Sequence, residues 1–227
     1  LNIAFNAAKE AKKVTLVDLD IVNPYFRTAE RFRELEAAGI RLLNPSFVTS
    51  GVEIPALPAE IYSAFSDDSD LVIFDVGGDD VGAPALGRYK SDFDDMTDDQ
   101  LEVLNVVNIR RPLSGTVEKL IRLQDGMAKH SRLKITGMIN NTNLATETGE
   151  EELRDGYKML KEVSDRTGIP VAYTTGKKAL LDKFLAEGHD PKYIGTPIAI
   201  DMYMHRDWDS YIKYGLHTVD PQKNFKH

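Results

Sequence analysis

The sequence predicts an α/β protein in three layers, a doubly wound, mostly parallel sheet with helices on both faces. Three observations predict it. Short apolar runs alternate with helix-length amphipathic stretches along nearly the whole chain. Several runs, such as Leu71 to Phe74, are apolar at every position, as strands buried on both faces of a parallel sheet are. The runs end in Asp or Asn, at the carboxyl edge where open parallel sheets gather their ligands.

In chain order, Leu1 to Lys13 reads as a helix, with Leu1, Ile3, Ala4, Ala7, Ala8 and Ala11 forming an apolar stripe. No capping residue stands before it, so the natural chain is expected to extend upstream. Val14 to Val17 is the first strand, ending in Asp18-Leu19-Asp20. A helix from about Ala29 to Ala38 stops at Gly39, and Ile40 to Leu43 is a short strand. Gly51, Pro55 and Pro58 break any period, so Ser46 to Pro58 is expected as loop, followed by a short helix from Ala59 to Phe65.

Leu71 to Phe74, Leu104 to Val107 and Leu133 to Ile139 are further strands, with weaker candidates at Ile169 to Tyr173 and Pro197 to Ile200. Helices are expected over Thr116 to His130, Glu150 to Thr167, Lys178 to Glu187 and Asp207 to Tyr214. The helix at Glu150 is the clearest, with Leu153, Tyr157, Leu160 and Val163 on one face. Thr148 and Glu151 are placed for a capping box, and Gly168 followed by Pro170 stops the helix. The Asp-rich stretch from Asp92 to Asp99 reads as a solvated loop or helix start. No internal repeat or low-complexity linker divides the chain, and residues 1–227 are expected to form a single domain.

Composition narrows the function. The chain has 227 residues and no cysteine, which excludes disulfides, thiolate metal sites and a cysteine-held iron–sulfur cluster within it. A net charge of −8 argues against a nucleic-acid surface that works by bulk charge. No apolar run approaches the ~20 residues of a membrane-spanning helix, and no signal peptide opens the sequence, so a cytoplasmic protein is expected. The five histidines are scattered without metal-ligand spacing. Trp208, beside Met202 to Met204, reads as packing. Arg110 and Arg111 follow a strand end and could meet phosphate or a dimer partner, but a solvated loop explains them as well.

The chemistry-bearing residues sit at the strand ends. Asp75-Val76-Gly77-Gly78 follows a buried apolar strand, and Asp75 is so placed to hold a divalent ion through water. A glycine there lets a backbone N–H approach a phosphate. A helix-capping Asp in an ordinary turn would read the same way. Asp18 and Asp20 are two apart on an extended segment, so their side chains point the same way, and Asn23-Pro24 turns the chain out of the strand. Structure alone does not call for two acids so close, because like charges repel.

A strand ending in Asp-x-Asp and followed by Asn23-Pro24-Tyr25-Phe26-Arg27 resembles the second strand of the MinD/ParA group of dimerising P-loop NTPases. The resemblance runs from Leu1 to about Tyr173 and is strongest over Val14–Arg27 and Leu71–Gly82. It implies ATP and Mg²⁺ as cofactors, slow hydrolysis, a homodimer and a possible protein partner. By the same resemblance Asp20 positions the attacking water, Asp18 lies near Mg²⁺, Asp75 is the Walker B carboxylate and Gly78 the switch glycine. Asn140, ending Gly137-Met138-Ile139-Asn140, is the base contact, with Asn141 the lesser candidate. The Gly-rich phosphate loop of the group is expected immediately upstream of Leu1 and does not occur in the sequence. Two other functions fit the same pattern. A Rossmann NAD-dependent oxidoreductase also ends its second strand in an acid, and a non-catalytic scaffold could keep the fold without the phosphate loop.

Overall fold

A computed structural model describes residues 1–19, 31–43, 59–78 and 82–203. Asp20, the Asn23 to Arg27 segment, the expected loop at Ser46 to Pro58, Trp208 and the expected helix at Asp207 to Tyr214 lie outside the described residues.

Strands and helices alternate as the apolar runs require. Helix α1 (Asn2–Lys9) precedes β1 (Val14–Asp18), α2 (Phe32–Ala37) and β2 (Arg41–Leu43). A 3-10 helix at Ala59–Phe65 leads into β3 (Leu71–Asp75), followed by the short helices α3 (Ala83–Gly87) and α4 (Lys90–Asp94). Then come β4 (Leu104–Val107), α5 (Val117–Ser131), β5 (Gly137–Asn140), α6 (Glu150–Thr167), β6 (Val171–Gly176), α7 (Lys178–Ala186) and β7 (Thr196–Ala199).

Among the described residues all strand pairings are parallel, and they form two sheets rather than one. The first has the order β2-β1-β3 and the second β4-β5-β6-β7. The central strand β1 is buried along its whole length. Helices cover both faces of the first sheet. On one face Ala4, Phe5 and Leu35 of α1 and α2 pack on Val14, Leu16 and Ile40. On the other, Ile61, Ala85, Tyr89 and Phe93 pack on Val17, Leu19 and Leu43. In the second sheet Val107, Met138 and Val171 pack beneath Leu120 of α5 and Leu160 and Val163 of α6. Each such fully buried aliphatic side chain is worth roughly 1.5–3 kcal/mol.

Several boundaries differ from expectation for local reasons. Strand β3 is apolar from Leu71 to Phe74 but only half-buried, because it pairs with β1 alone among the described residues. Strand β5 begins at Gly137, opposite Leu104 at the start of β4, so Leu133 and Ile135 are buried without joining the ladder. Helix α1 ends early, with Ala11 in the left-handed region at φ 59°. The cap of α6 falls one residue later than the capping box predicted. Gly149 holds the cap position and its N–H donates to Glu152 Oε2 at 2.8 Å. The Thr148 hydroxyl is already engaged, accepting from Leu144 N and donating to Ala145 O. The two glycine stops stand as expected, Gly39 at φ 73° and Gly168 at φ 75°.

Candidate functional site

The carboxyl edge of the first sheet carries two acids in register. Asp18 and Asp75 are partners across the β1–β3 ladder, one strand spacing apart, about 4.8 Å. Continuous apolar strands place them there: Val17 pairs with Phe74 one step earlier, and Leu19 N donates to Asp75 O at 2.7 Å one step later. Asp18 is buried and Asp75 half-buried. Gly78, three residues on, is exposed, and a Cβ added to it would meet nothing within 4 Å.

The first turn of α1 opens on the same edge. Leu1, at the head of α1, lies within electrostatic reach of Asp75. Asn2 carries this corner across to the second sheet. Its side chain donates to Asp201 O at 3.0 Å and accepts from Asp201 N at 2.8 Å. Ile200 N in turn donates to Gly176 O at the end of β6. Phe5 stacks on Tyr203 at 4.4 Å between ring centroids. The segment after Gly188 carries no functional expectation, and this bridge is not legible in the sequence.

The carboxyl edge of the second sheet is built from amides. Asn108, just after β4, ties two loops together. Its Nδ2 donates to Asn143 O at 3.0 Å, and its Oδ1 accepts from Asn143 N at 3.3 Å and Arg110 N at 3.0 Å. Arg110 is an exposed turn residue, as the solvated-loop expectation has it, but its guanidinium is engaged. It bridges Glu152 at 2.9 Å and Asp155 at 3.0 Å on α6, which raises its pKa further, Glu152 being the larger influence. The Gly149 N–H, ahead of Arg110, holds the Glu152 carboxyl below its usual range.

Asn140 and Asn141 part company at this edge. Asn140 is 2% exposed and turned against α6 at Gly156, its Oδ1 accepting from Thr142 N at 3.3 Å. Asn141 is half-buried; its Oδ1 accepts from Thr175 Oγ1 at 2.8 Å and its backbone N–H bonds Val107 O at 2.8 Å. Alternation along the strand is what sends the two amides to opposite sides.

Two carboxylates in register suit Mg²⁺, which retains several waters and takes only one or two protein carboxylates beside substrate phosphate. Among the described residues no group of three or more His, Cys, Asp or Glu is arranged to hold a metal unaided. Among those residues, too, no helix is long and apolar enough to cross a membrane.

No protein-family model matches the chain, and no curated protein matches it. Among solved structures it is similar to the signal recognition particle receptor FtsY from Elizabethkingia anophelis, with 21% identity, 78% of this chain and 53% of that chain covered, and a TM-score of 0.47. For the same receptor in complex with GDP the identity is 19%, the coverage 77% and 51%, and the TM-score 0.44. A nucleotide-binding protein from Archaeoglobus fulgidus in complex with ADP is 16% identical over 84% of this chain and 82% of its own, with a TM-score of 0.41. The chain spans about half the length of the receptor. The parallel sheets with their covering helices make the chain an α/β protein.

Proposed function

We propose that this chain is the body of an ATP-binding, slowly ATP-hydrolysing switch protein of the P-loop type. The observation that carries the reading is the in-register pair Asp18 and Asp75 at the sheet edge where α1 begins. A helix N-terminus is positive and accepts phosphate, while the adjacent acids accept the divalent ion that accompanies it. Asp75 would hold Mg²⁺ through water, with Asp18 beside it. The ion would neutralise charge on the phosphates. Asp20 would orient the attacking water, and the open Gly78 backbone would approach the terminal phosphate. The cradle of a phosphate loop would complete this site at the start of α1, and strand β3 has an unpaired side among the described residues where a further parallel strand could join.

We place the base contact at Asn141 in preference to Asn140. Asn140 is buried with its Oδ1 enclosed against α6 and accepting from Thr142 N, whereas Asn141 is the more exposed of the two. An amide can pair with adenine through both its donor and its acceptor. Homodimerisation on nucleotide, a protein partner and a cytoplasmic setting belong to the same reading, with residues 1–227 acting as one nucleotide-binding unit.

The test is thermal melting of the natural full-length protein with Mg-ATP, Mg-GTP and NAD. A ligand at 100 times its Kd stabilises by about 2.7 kcal/mol. Stabilisation by Mg-ATP that disappears in Asp75→Asn supports the proposal. Stabilisation by NAD alone would transfer the chain to the oxidoreductases, and no shift with any nucleotide would leave a scaffold.

A further inference from the structure

Helix α6 contains a glycine, Gly156, in the middle of its 18 residues. Glycine is a poor helix former, and nothing in the turn geometry of a helix interior calls for one. The second sheet supplies the reason. A Cβ at position 156 would lie 2.3 Å from Asn140 Oδ1, 2.9 Å from Asn140 Cγ and 2.6 Å from Thr142 Oγ1. The missing methyl is the space into which these two side chains fit.

Neither side chain has room to withdraw. Asn140 and Thr142 are each 2% exposed. Asn140 is held on both sides by its ladder, opposite Val107 of β4 and Thr174 of β6. Its carbonyl accepts from Thr175 Oγ1 at 3.3 Å and its Oδ1 from Thr142 N. The buried Thr142 hydroxyl has no hydrogen-bond partner among the described residues, an unfavourable state for a buried polar group. Because successive strand residues point to opposite sides, seating Asn140 in α6 fixes where Asn141 points. The Thr175 hydroxyl links the two, reaching both Asn140 O and Asn141 Oδ1.

We propose that Gly156, Asn140 and Thr142 form a socket that positions Asn141, so that the glycine of α6 is a specificity-determining position for the nucleobase although it touches no ligand. The inference rests on the base-contact reading of Asn141. The socket sets both the outward turn of that amide and the rotation about its side chain. A methyl at 156 displaces the plug and with it the strand end.

The experiment compares Gly156→Ala, the emptied socket Asn140→Ala/Thr142→Ala, and the combination of all three changes. Each is made in the natural full-length protein, with Asn141→Ala as reference. Two quantities are read: the side-chain amide resonances of Asn141 by ¹⁵N NMR, and the ratio of Mg-ATP to Mg-GTP dissociation constants. Gly156→Ala is expected to shift the Asn141 amide signals and to raise the ratio about tenfold, the scale of one lost hydrogen bond. The triple change, which gives the methyl its space, restores part of both. The emptied socket broadens the Asn141 signals even if Gly156→Ala does not fold. Equal weakening toward both nucleotides, or unmoved Asn141 signals in both foldable variants, overturns the socket. If Asn141→Ala leaves the ratio unchanged while the socket variants still shift the Asn141 amide, the base contact fails and the positioning device stands.

Discussion

The two sheets end in carboxyl edges of opposite character. The first presents acids, Asp18 and Asp75, on strands of unequal cover: β1 is buried throughout and β3 only half-buried. The second presents amides, and its loops are fastened to one another by Asn108, Asn143, Asn141 and Thr175. Charge and an open glycine suit an edge that must take up an ion and let a loop move. Neutral amides hydrogen-bonded to one another across loops suit an edge that must keep one shape. Under the proposed function, this difference would give phosphate chemistry to one edge and recognition to the other.

The comparison can be broken most severely at Asp75. Asp75→Asn is expected to lower ATP turnover by about 10²-fold or more, because the ion is the main neutraliser of phosphate charge. The fold should survive, which circular dichroism and melting without nucleotide would check. Asn108→Ala attacks the other edge and should give the reverse pattern. It removes two hydrogen bonds between loops and one within its own turn, so unfolding by urea should show a loss of about 2–3 kcal/mol. Mg²⁺ dependence should remain. If Asn108→Ala left stability intact, the fastened edge would be no more rigid than the acidic one.

A smaller effect is expected at the end of α6. Gly168 sits at φ 75° and its N–H donates to Ser164 O at 2.8 Å. Gly168→Ala should cost about 1 kcal/mol in denaturant unfolding. The smallest effect is a pH effect. Arg154, hydrogen-bonded to both oxygens of Glu187, is the main cause of that carboxyl's pKa of about 2, and His189 adds to it. A folded-state pKa below the unfolded one stabilises above the unfolded value, ~4.3, and that contribution fades as pH falls toward 2. Glu187→Gln should therefore melt lower than the parent at pH 7, with the gap closing as acid is added.

Much of the first edge was legible in the sequence, because a run such as Leu71 to Phe74 ending in Asp75 carries its own direction and its polar tip. The pairing of Asp18 with Asp75 could not be read, since ladder register is not a local property. Gly39 and Gly168 were legible as helix stops because a positive φ selects glycine. The capping box was read one residue early because the Thr148 hydroxyl spends its bonds on Leu144 and Ala145. The choice between Asn140 and Asn141 turns on which face of β5 meets α6. Adjacent amides in one strand look alike until the helix glycine opposite one of them is known. Arg110 was equally hidden, because its acids lie 42 and 45 residues further along the chain.

The exclusively parallel pairing has a consequence for how the chain reaches this state. Among the described residues no pair of strands can zip from a tight hairpin, and each ladder waits for an intervening connection to close, the β1–β3 ladder spanning residues 14 to 75. Chains dominated by such distant pairings fold in the slower part of the kinetic range and expose their apolar strands while they do so. Strand β3, with one side still unpaired among the described residues, is where premature association between nascent copies would begin, and the conditions of synthesis are expected to govern yield more than final stability does.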